Sequence, residues 1–114
     1  MKTWITQLRK GLLEFCILRV LSRRETYGYE LIGHLKGVEE LAITESTAYP
    51  ILNRLRKDGS VKVRVAASPA GPARRYFSLT ALGRSRIREM NNYWKQVCSS
   101  IDSLQSQDRE DQKP

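Results

Sequence analysis

Histidine is nearly absent from this sequence, with one in 114 residues, and cysteine is scarce, with two. Cys16 and Cys98 stand far apart, each inside an apolar helical pattern, and neither belongs to a CxxC or Cys/His spacing. That speaks against structural zinc or any other metal site and points to a reduced, intracellular chain. Catalysis has equally little to work with. There is no glycine-rich phosphate loop and no nucleophile–base pair, and the adjacent carboxylates Glu39 and Glu40 fall in a loop or helix end with no acid/base setting. Neither an enzyme nor a cofactor is expected. Long apolar runs are missing too. The opening "MKTWITQLRKGLLEFCILRVLSRR" is broken by Gln7, Arg9, Lys10, Glu14 and Arg19, and no small-residue cleavage site follows an apolar core. Neither a membrane span nor a leader is read there, so the expectation is one soluble, cytoplasmic domain.

What is abundant is positive charge. The formal balance is +8, from 20 Lys and Arg against 12 Asp and Glu, and it is unevenly placed. The last residues, 102–114, are net acidic, which leaves the first 101 more basic than the whole. Such an excess calls for a polyanionic partner, either nucleic acid or an anionic surface; a merely solvated basic surface is the bland alternative.

Apolar periodicity divides the chain into five pieces. A first helix from about Thr3 to Arg23 carries apolar residues around far more than one stripe, so it needs neighbours on more than one side. A second helix follows the break at "SRRETYGYE", packing through Tyr29, Leu31, Ile32 and Leu35. Gly28 near its start marks a turn or a close backbone approach, and His34 reads as a surface residue. In "ITESTAYPILNRLRKDG", Ala48, Ile51, Leu52 and Leu55 form the buried face of a third helix. Thr44 is its expected cap, Glu45 suits the helix dipole, and Gly59 ends it in the left-handed conformation. Val61, Val63 and Val65 alternate with Lys62 and Arg64, "ASPAGPA" turns the chain, and "RRYFSL" returns with Phe77 and Leu79 inward. That is a β-hairpin with a basic tip. A long helix capped by Thr80 then places Ile87, Met90, Trp94, Val97, Ile101 and Leu104 at alternating spacings of three and four, a heptad seam. From Thr80 to Gln107 it would be about 40 Å long. A globule of this size has a radius of gyration near ~13 Å, so much of the helix must project. Residues 108–114 are polar, and a disordered tail is expected.

The fold class implied is mainly α with a small β-hairpin: a winged helix-turn-helix over residues 1–79 and a dimerisation helix over 80–107. Its third helix would enter a DNA major groove and its hairpin would reach the flanking backbone or minor groove. Seven basic and two acidic residues lie between Thr44 and Leu79, where that geometry needs charge. One residue resists. Pro50 falls inside the third helix, at a cost of about 3 kcal/mol relative to a good helix former. Either the helix continues through it and turns Ser46, Tyr49, Pro50, Asn53 and Lys57 toward DNA, or Pro50 marks the true start with Thr47 as cap. On the first reading Ser46 and Thr47 reach phosphates, while Tyr49 and Pro50 press on thymine methyls and sugars.

The stretches "TYGYELI", "ITESTAYPILNRLRKDG" and "GPARRYFSLTALGR", in this order, resemble the PadR family of bacterial transcriptional regulators, over roughly Leu8 to Trp94. The single helix after them resembles the smaller subfamily. The resemblance implies a homodimeric repressor on an inverted-repeat operator in double-stranded DNA, with the first and last helices building the dimer. It places the family's recognition tyrosine on Tyr49 and its basic wing on Arg74 and Arg75. "RLRKDG" departs from the acidic "RLEKEG" pattern by Arg56, which should strengthen phosphate contact and loosen discrimination. Charge and placement add Arg54, Lys57, Lys62 and Arg64 to the DNA-binding set. The dimer set is Leu8, Leu12, Phe15, Ile87, Met90, Trp94, Val97, Ile101 and Leu104. Some small-subfamily relatives stack flat aromatic drugs on a tryptophan matching Trp94, to which Leu8, Leu12 and Phe15 could add walls for a small aromatic ligand. The alternative is that Trp94 only packs the dimer seam. From a different functional class, the basic wing could instead serve an acidic protein partner.

Overall fold

The computed structural model describes residues 1–111, with side chains through Leu104. The order is α1 (Lys2–Arg23), β1 (Thr26–Tyr27), α2 (Gly28–Lys36), a 3-10 turn (Glu39–Leu41), α3 (Glu45–Lys57), β2 (Val61–Ser68), β3 (Gly71–Leu79) and α4 (Ala81–Asp111). Mostly helical with a small antiparallel sheet, this is the architecture read from the sequence. One strand was not legible. β1 adds to the hairpin to give a three-stranded sheet in the order β1-β3-β2, pairing Thr26 with Phe77 and Tyr27 with Tyr76.

The core is aliphatic and lies between α1, α2, α3 and the base of the sheet. Leu13, Ile17, Leu18 and Leu21 of α1 meet Leu31, Ile32 and Leu35 of α2, Ala48, Leu52 and Leu55 of α3, and Val61, Phe77 and Leu79 of the sheet. Burying each of the larger side chains contributes about 1.5–3 kcal/mol, so this cluster holds α3 and the hairpin in place. Burial stops halfway along the hairpin. Val65, opposite Arg75 in the register, was expected on the inward face, but it is 63 % exposed.

α3 is one unbroken helix with Pro50 inside it, which removes the reading in which Pro50 starts the helix. Thr44 is its N-cap by position, but its side chain does not cap the backbone. Its hydroxyl instead bonds to the Ser46 and Thr47 hydroxyls, each at 3.0 Å. At the other end Gly59 is left-handed (φ 86°), the conformation expected of it.

α4 begins in a knot of polar contacts. Thr80 caps it, accepting the Gly83 N–H at 3.1 Å, while its hydroxyl donates to the Gly59 carbonyl at 2.5 Å. Asp58 accepts the Ser60 N–H and pairs with Arg86, both at 3.0 Å, and Arg86 also donates to the Ser60 hydroxyl. The end of α3, the root of the wing and the start of α4 are thus fastened together. From there α4 runs past Gln107 to Asp111, so the helix extends into the stretch expected to be disordered; residues 112–114 lie outside the described residues. The molecule measures 69 × 30 × 21 Å, the elongation a projecting helix demands. Among the described residues no helix is long and apolar enough to cross a membrane.

Candidate nucleic-acid interface

Helical periodicity sorts α3 into three sides. Ala48, Leu52 and Leu55 are buried. Ser46, Pro50, Asn53 and Lys57 point away from them and are exposed, as the sequence implied. Pro50 lacks the N–H that would bond the Ser46 carbonyl, and Ser46 is exposed, so water can satisfy that oxygen. Thr47 and Arg54 lie on the flank toward α1, where the Arg54 guanidinium bonds Glu14 at 2.9 Å. Tyr49 and Arg56 lie on the opposite flank, toward the wing. With Asn53, Val63, Arg75 and Phe77 they line a narrow cleft of about 90 Å³. Arg56 belongs to this surface by position, though charge alone placed it only as a departure from a pattern.

The wing sorts its arginines in the same way. Strand alternation and the register Val63↔Phe77, Val65↔Arg75 put Arg75 on the face turned to α3. Arg64↔Tyr76 and Ala66↔Arg74 put Arg64 and Arg74 on the other face, with Tyr27 beside Tyr76. There the side chains interlock. The Arg64 guanidinium lies 4.6 Å from the Tyr76 ring centroid and bonds Glu25 at 2.6 Å, while Arg74 lies 4.8 Å over Tyr27. The two tyrosine rings stand 5.8 Å apart. The hydrogen bond from Arg64 holds the Glu25 carboxyl below its usual range and raises Arg64 in turn. Arg54 and Arg64, both counted as DNA contacts, therefore arrive already partnered. Their partners sit some forty residues away, out of reach of local pattern reading. Arg56, Lys57, Lys62 and Arg75 carry no ion pair among the described residues.

Between α3, the start of α2 and the wing lies a broad cavity of about 710 Å³, lined by Tyr27, Tyr29, Tyr49, Arg74, Arg75 and the wing tip. Tyr29, at the N-terminus of α2, is well exposed beside it; its place there was not foreseen, since spacing assigned it to packing. Cations and aromatic rings around an open concavity suit a sugar–phosphate strand.

The seam residues divide between two environments. Ile87 is 4 % exposed within its own chain's core, so it has no surface to give a partner. Phe15 is also buried, its ring 5.9 Å from that of Trp94. Leu8, Leu12, Phe15, Met90, Trp94 and Val97 surround, with Gly11 and Tyr93, an apolar groove of about 300 Å³ where α1 crosses α4. Beyond it Ile101 and Leu104 are exposed on α4, as are Trp4 and Ile5 on α1. Cys16 lies half-buried beside this region, and burial pushes its thiol up. Among the described residues no group of His, Cys, Asp and Glu is arranged to hold a metal ion.

Known proteins share this arrangement. A PadR-like transcriptional regulator from Bacillus cereus is 35% identical, with a TM-score of 0.77 over 86% of this chain and 95% of its own. A Streptococcus transcriptional regulator is 34% identical, with a TM-score of 0.78 over 87% and 97% of the two chains. An uncharacterized protein of Lysinibacillus sphaericus is 28% identical over 95 residues, 82% of this chain and 87% of its own. The profile of the transcriptional regulator PadR-like family matches residues 17–89, from the middle of α1 through the wing to the first turns of α4. With that match spanning α3 and the wing, the chain belongs to the PadR-like family of transcriptional regulators and acts in DNA-binding regulation.

Proposed function

We propose that the protein is a homodimeric repressor of an inverted-repeat operator, released by a small planar aromatic effector. The observation that carries the DNA half is the outward face of α3, where Ser46, Tyr49, Pro50, Asn53, Arg56 and Lys57 stand exposed beside the Arg75 face of the wing. In this reading Asn53 and Tyr49 read base edges in the major groove. Ser46, Thr47 and Lys57 hold phosphates, and Lys62, Arg74 and Arg75 follow the flanking strand. The partnered Arg54 and Arg64 serve chiefly to fix α3 to α1 and the wing to β1.

The dimer half is supported by apolar surface that nothing covers among the described residues. Trp4, Ile5, Leu8, Trp94, Ile101 and Leu104 are large, exposed, and gathered on α1 and the outer length of α4. A second copy laid along that helix would cover them, and an inverted repeat with half-sites one duplex turn apart would require its two α3 helices to stand about 34 Å apart. The same contact would roof the groove in which Trp94 stands 40 % exposed, giving a flat ligand two copies of the indole to stack between.

Protection mapping on the DNA upstream of the gene, repeated with planar aromatic compounds, tests the whole reading. A protected inverted repeat that opens on adding the compound, with quenched tryptophan emission, is the expected result. Failure to retain any duplex overturns the DNA reading, and unchanged emission across a varied panel overturns the effector. Sedimentation as a folded single chain at micromolar concentration overturns the dimer.

A further inference from the structure

Gly28, the first residue of α2, has no unusual backbone conformation to explain it; among the described residues Gly59 is the glycine with positive φ. Its reason is space. A β-carbon there would sit 3.0 Å from the Tyr49 hydroxyl oxygen, 3.3 Å from its Cε1 and 3.5 Å from the Phe77 ring. The distal half of the Tyr49 phenol therefore lies on the bare α-carbon of Gly28, with buried Phe77 as the adjoining wall. Tyr49 is nevertheless 44 % exposed, so one side of its ring is seated while the remainder looks into the cavity shared with Tyr29, Arg74 and Arg75.

We infer that Gly28 is a positioning residue for DNA discrimination: it seats the Tyr49 phenol across the start of α2, and that seat aims the ring and hydroxyl at the duplex. The inference rests on the DNA-binding reading above. A surface tyrosine two χ angles from its backbone has several staggered positions open to it, and a contact that must meet one base edge or sugar needs one of them. Gly28 supports that selection at no backbone cost, by leaving room for the ring in that orientation. A methyl group at residue 28 would push against the far end of a flexible side chain, so the ring would shift by a few tenths of an ångström and the fold would remain. The contrast within the same molecule is Gly83, where a β-carbon would fall 2.1 Å from the Ser60 carbonyl oxygen, a backbone atom that cannot step aside. On α2 itself Gly33 has nothing within 4 Å of such an atom, and provides the control.

The test compares Gly28→Ala, Gly33→Ala, Tyr49→Ala and the double variant Gly28→Ala/Tyr49→Ala. Each full-length protein is titrated with the duplex protected by wild type and with a scrambled duplex of equal length. Gly28→Ala is expected to lower the ratio of the two affinities about tenfold, within the range of one mismatched base pair, with the salt dependence preserved. Gly33→Ala should keep the wild-type ratio. Because Tyr49→Ala removes the displaced group, adding Gly28→Ala to it should change the ratio no further. A wild-type ratio in Gly28→Ala, or an equal loss with and without Tyr49, overturns the seat while the DNA-binding reading stands. A wild-type protein that retains neither duplex overturns both. If Gly28→Ala fails to fold, recovery of the wild-type melting temperature in the double variant upholds the contact, and persistent unfolding refutes it.

Discussion

Replacing Pro50 with alanine should make the protein more stable and a poorer binder of its operator. Pro50 is the sixth residue of α3, past the first turn in which proline is tolerated. A helix-interior proline is about 3 kcal/mol worse than alanine, from the lost hydrogen bond and the clash with the preceding carbonyl. Two effects reduce the difference here. Ser46 is exposed, so water can satisfy its carbonyl, recovering roughly 1 kcal/mol. Proline also stiffens the unfolded chain, which favours folding by about 0.4–1 kcal/mol. The net gain for Pro50→Ala is about 1–2 kcal/mol. For a chain of this size that is a rise in melting temperature of roughly 4–10 °C, read by circular dichroism at one fixed protein concentration, since association would shift it. On the proposed DNA-binding reading, operator affinity, measured by gel shift on the same preparations, should fall because the loss of the ring would remove a contact with sugars or thymine methyls. An unchanged or lower melting temperature would refute the energetic reasoning. A gain in stability with full operator affinity would leave Pro50 unexplained by DNA contact.

The other predictions read single contacts. Arg75→Ala should flatten the slope of log affinity against log salt by about one per site, whereas Arg64→Ala should flatten it less, its guanidinium being already held by Glu25 and Tyr76; equal effects would show the pairing to be irrelevant to DNA. Asp58 titrates below its ordinary value: partial burial acts in the opposite sense, but the hydrogen bonds from Ser60 and the nearby Arg86 outweigh it. A depressed folded-state value means stability that is present above the normal carboxylate range and lost as pH falls through the folded value. The urea midpoints of wild type and Asp58→Asn should therefore differ at pH 7 and converge toward pH 3, and a gap that persists in acid would refute the assignment. Gly83→Ala forces a methyl group onto the Ser60 carbonyl and should cost about 2 kcal/mol or more, visible as a lowered melting temperature.

Local chemistry made most of the scaffold legible. Thr80 caps α4, Gly59 closes α3 in the left-handed conformation, and the close approach signalled at Gly28 is there because Tyr49 lies over it. Each is decided by residues within a few positions, or by a single steric fact about glycine. What stayed hidden depends on distant neighbours. β1 is two residues long, too short for any period, and exists because β3 offers it an edge. Ile87 fits a heptad seam by spacing, yet it lies where α4 still crosses its own domain, so the core claims it first. Val65 alternates correctly, yet nothing among the described residues covers it.

The charge count shows why position has to follow composition. Between Thr44 and Leu79 the sequence offers seven cations, an apparent surplus that local counting hands entirely to DNA. Folding brings two acids from outside that window, Glu14 on α1 and Glu25 before β1, onto Arg54 and Arg64. The surplus facing a duplex is accordingly smaller than the sequence surplus. Strand alternation then divides the neighbours Arg74 and Arg75 between opposite faces of the wing, so that Arg75 borders the α3 cleft while Arg74 rests on Tyr27. The cations that remain lie on α3 and on two sides of one hairpin, with Arg74 and Arg75 beside the Tyr49 cavity. A phosphate backbone can run past cations on more than one face, whereas a single flat acidic face could meet only one rank of them. That geometry favours a duplex over an acidic protein as the partner, which the net charge alone could never decide.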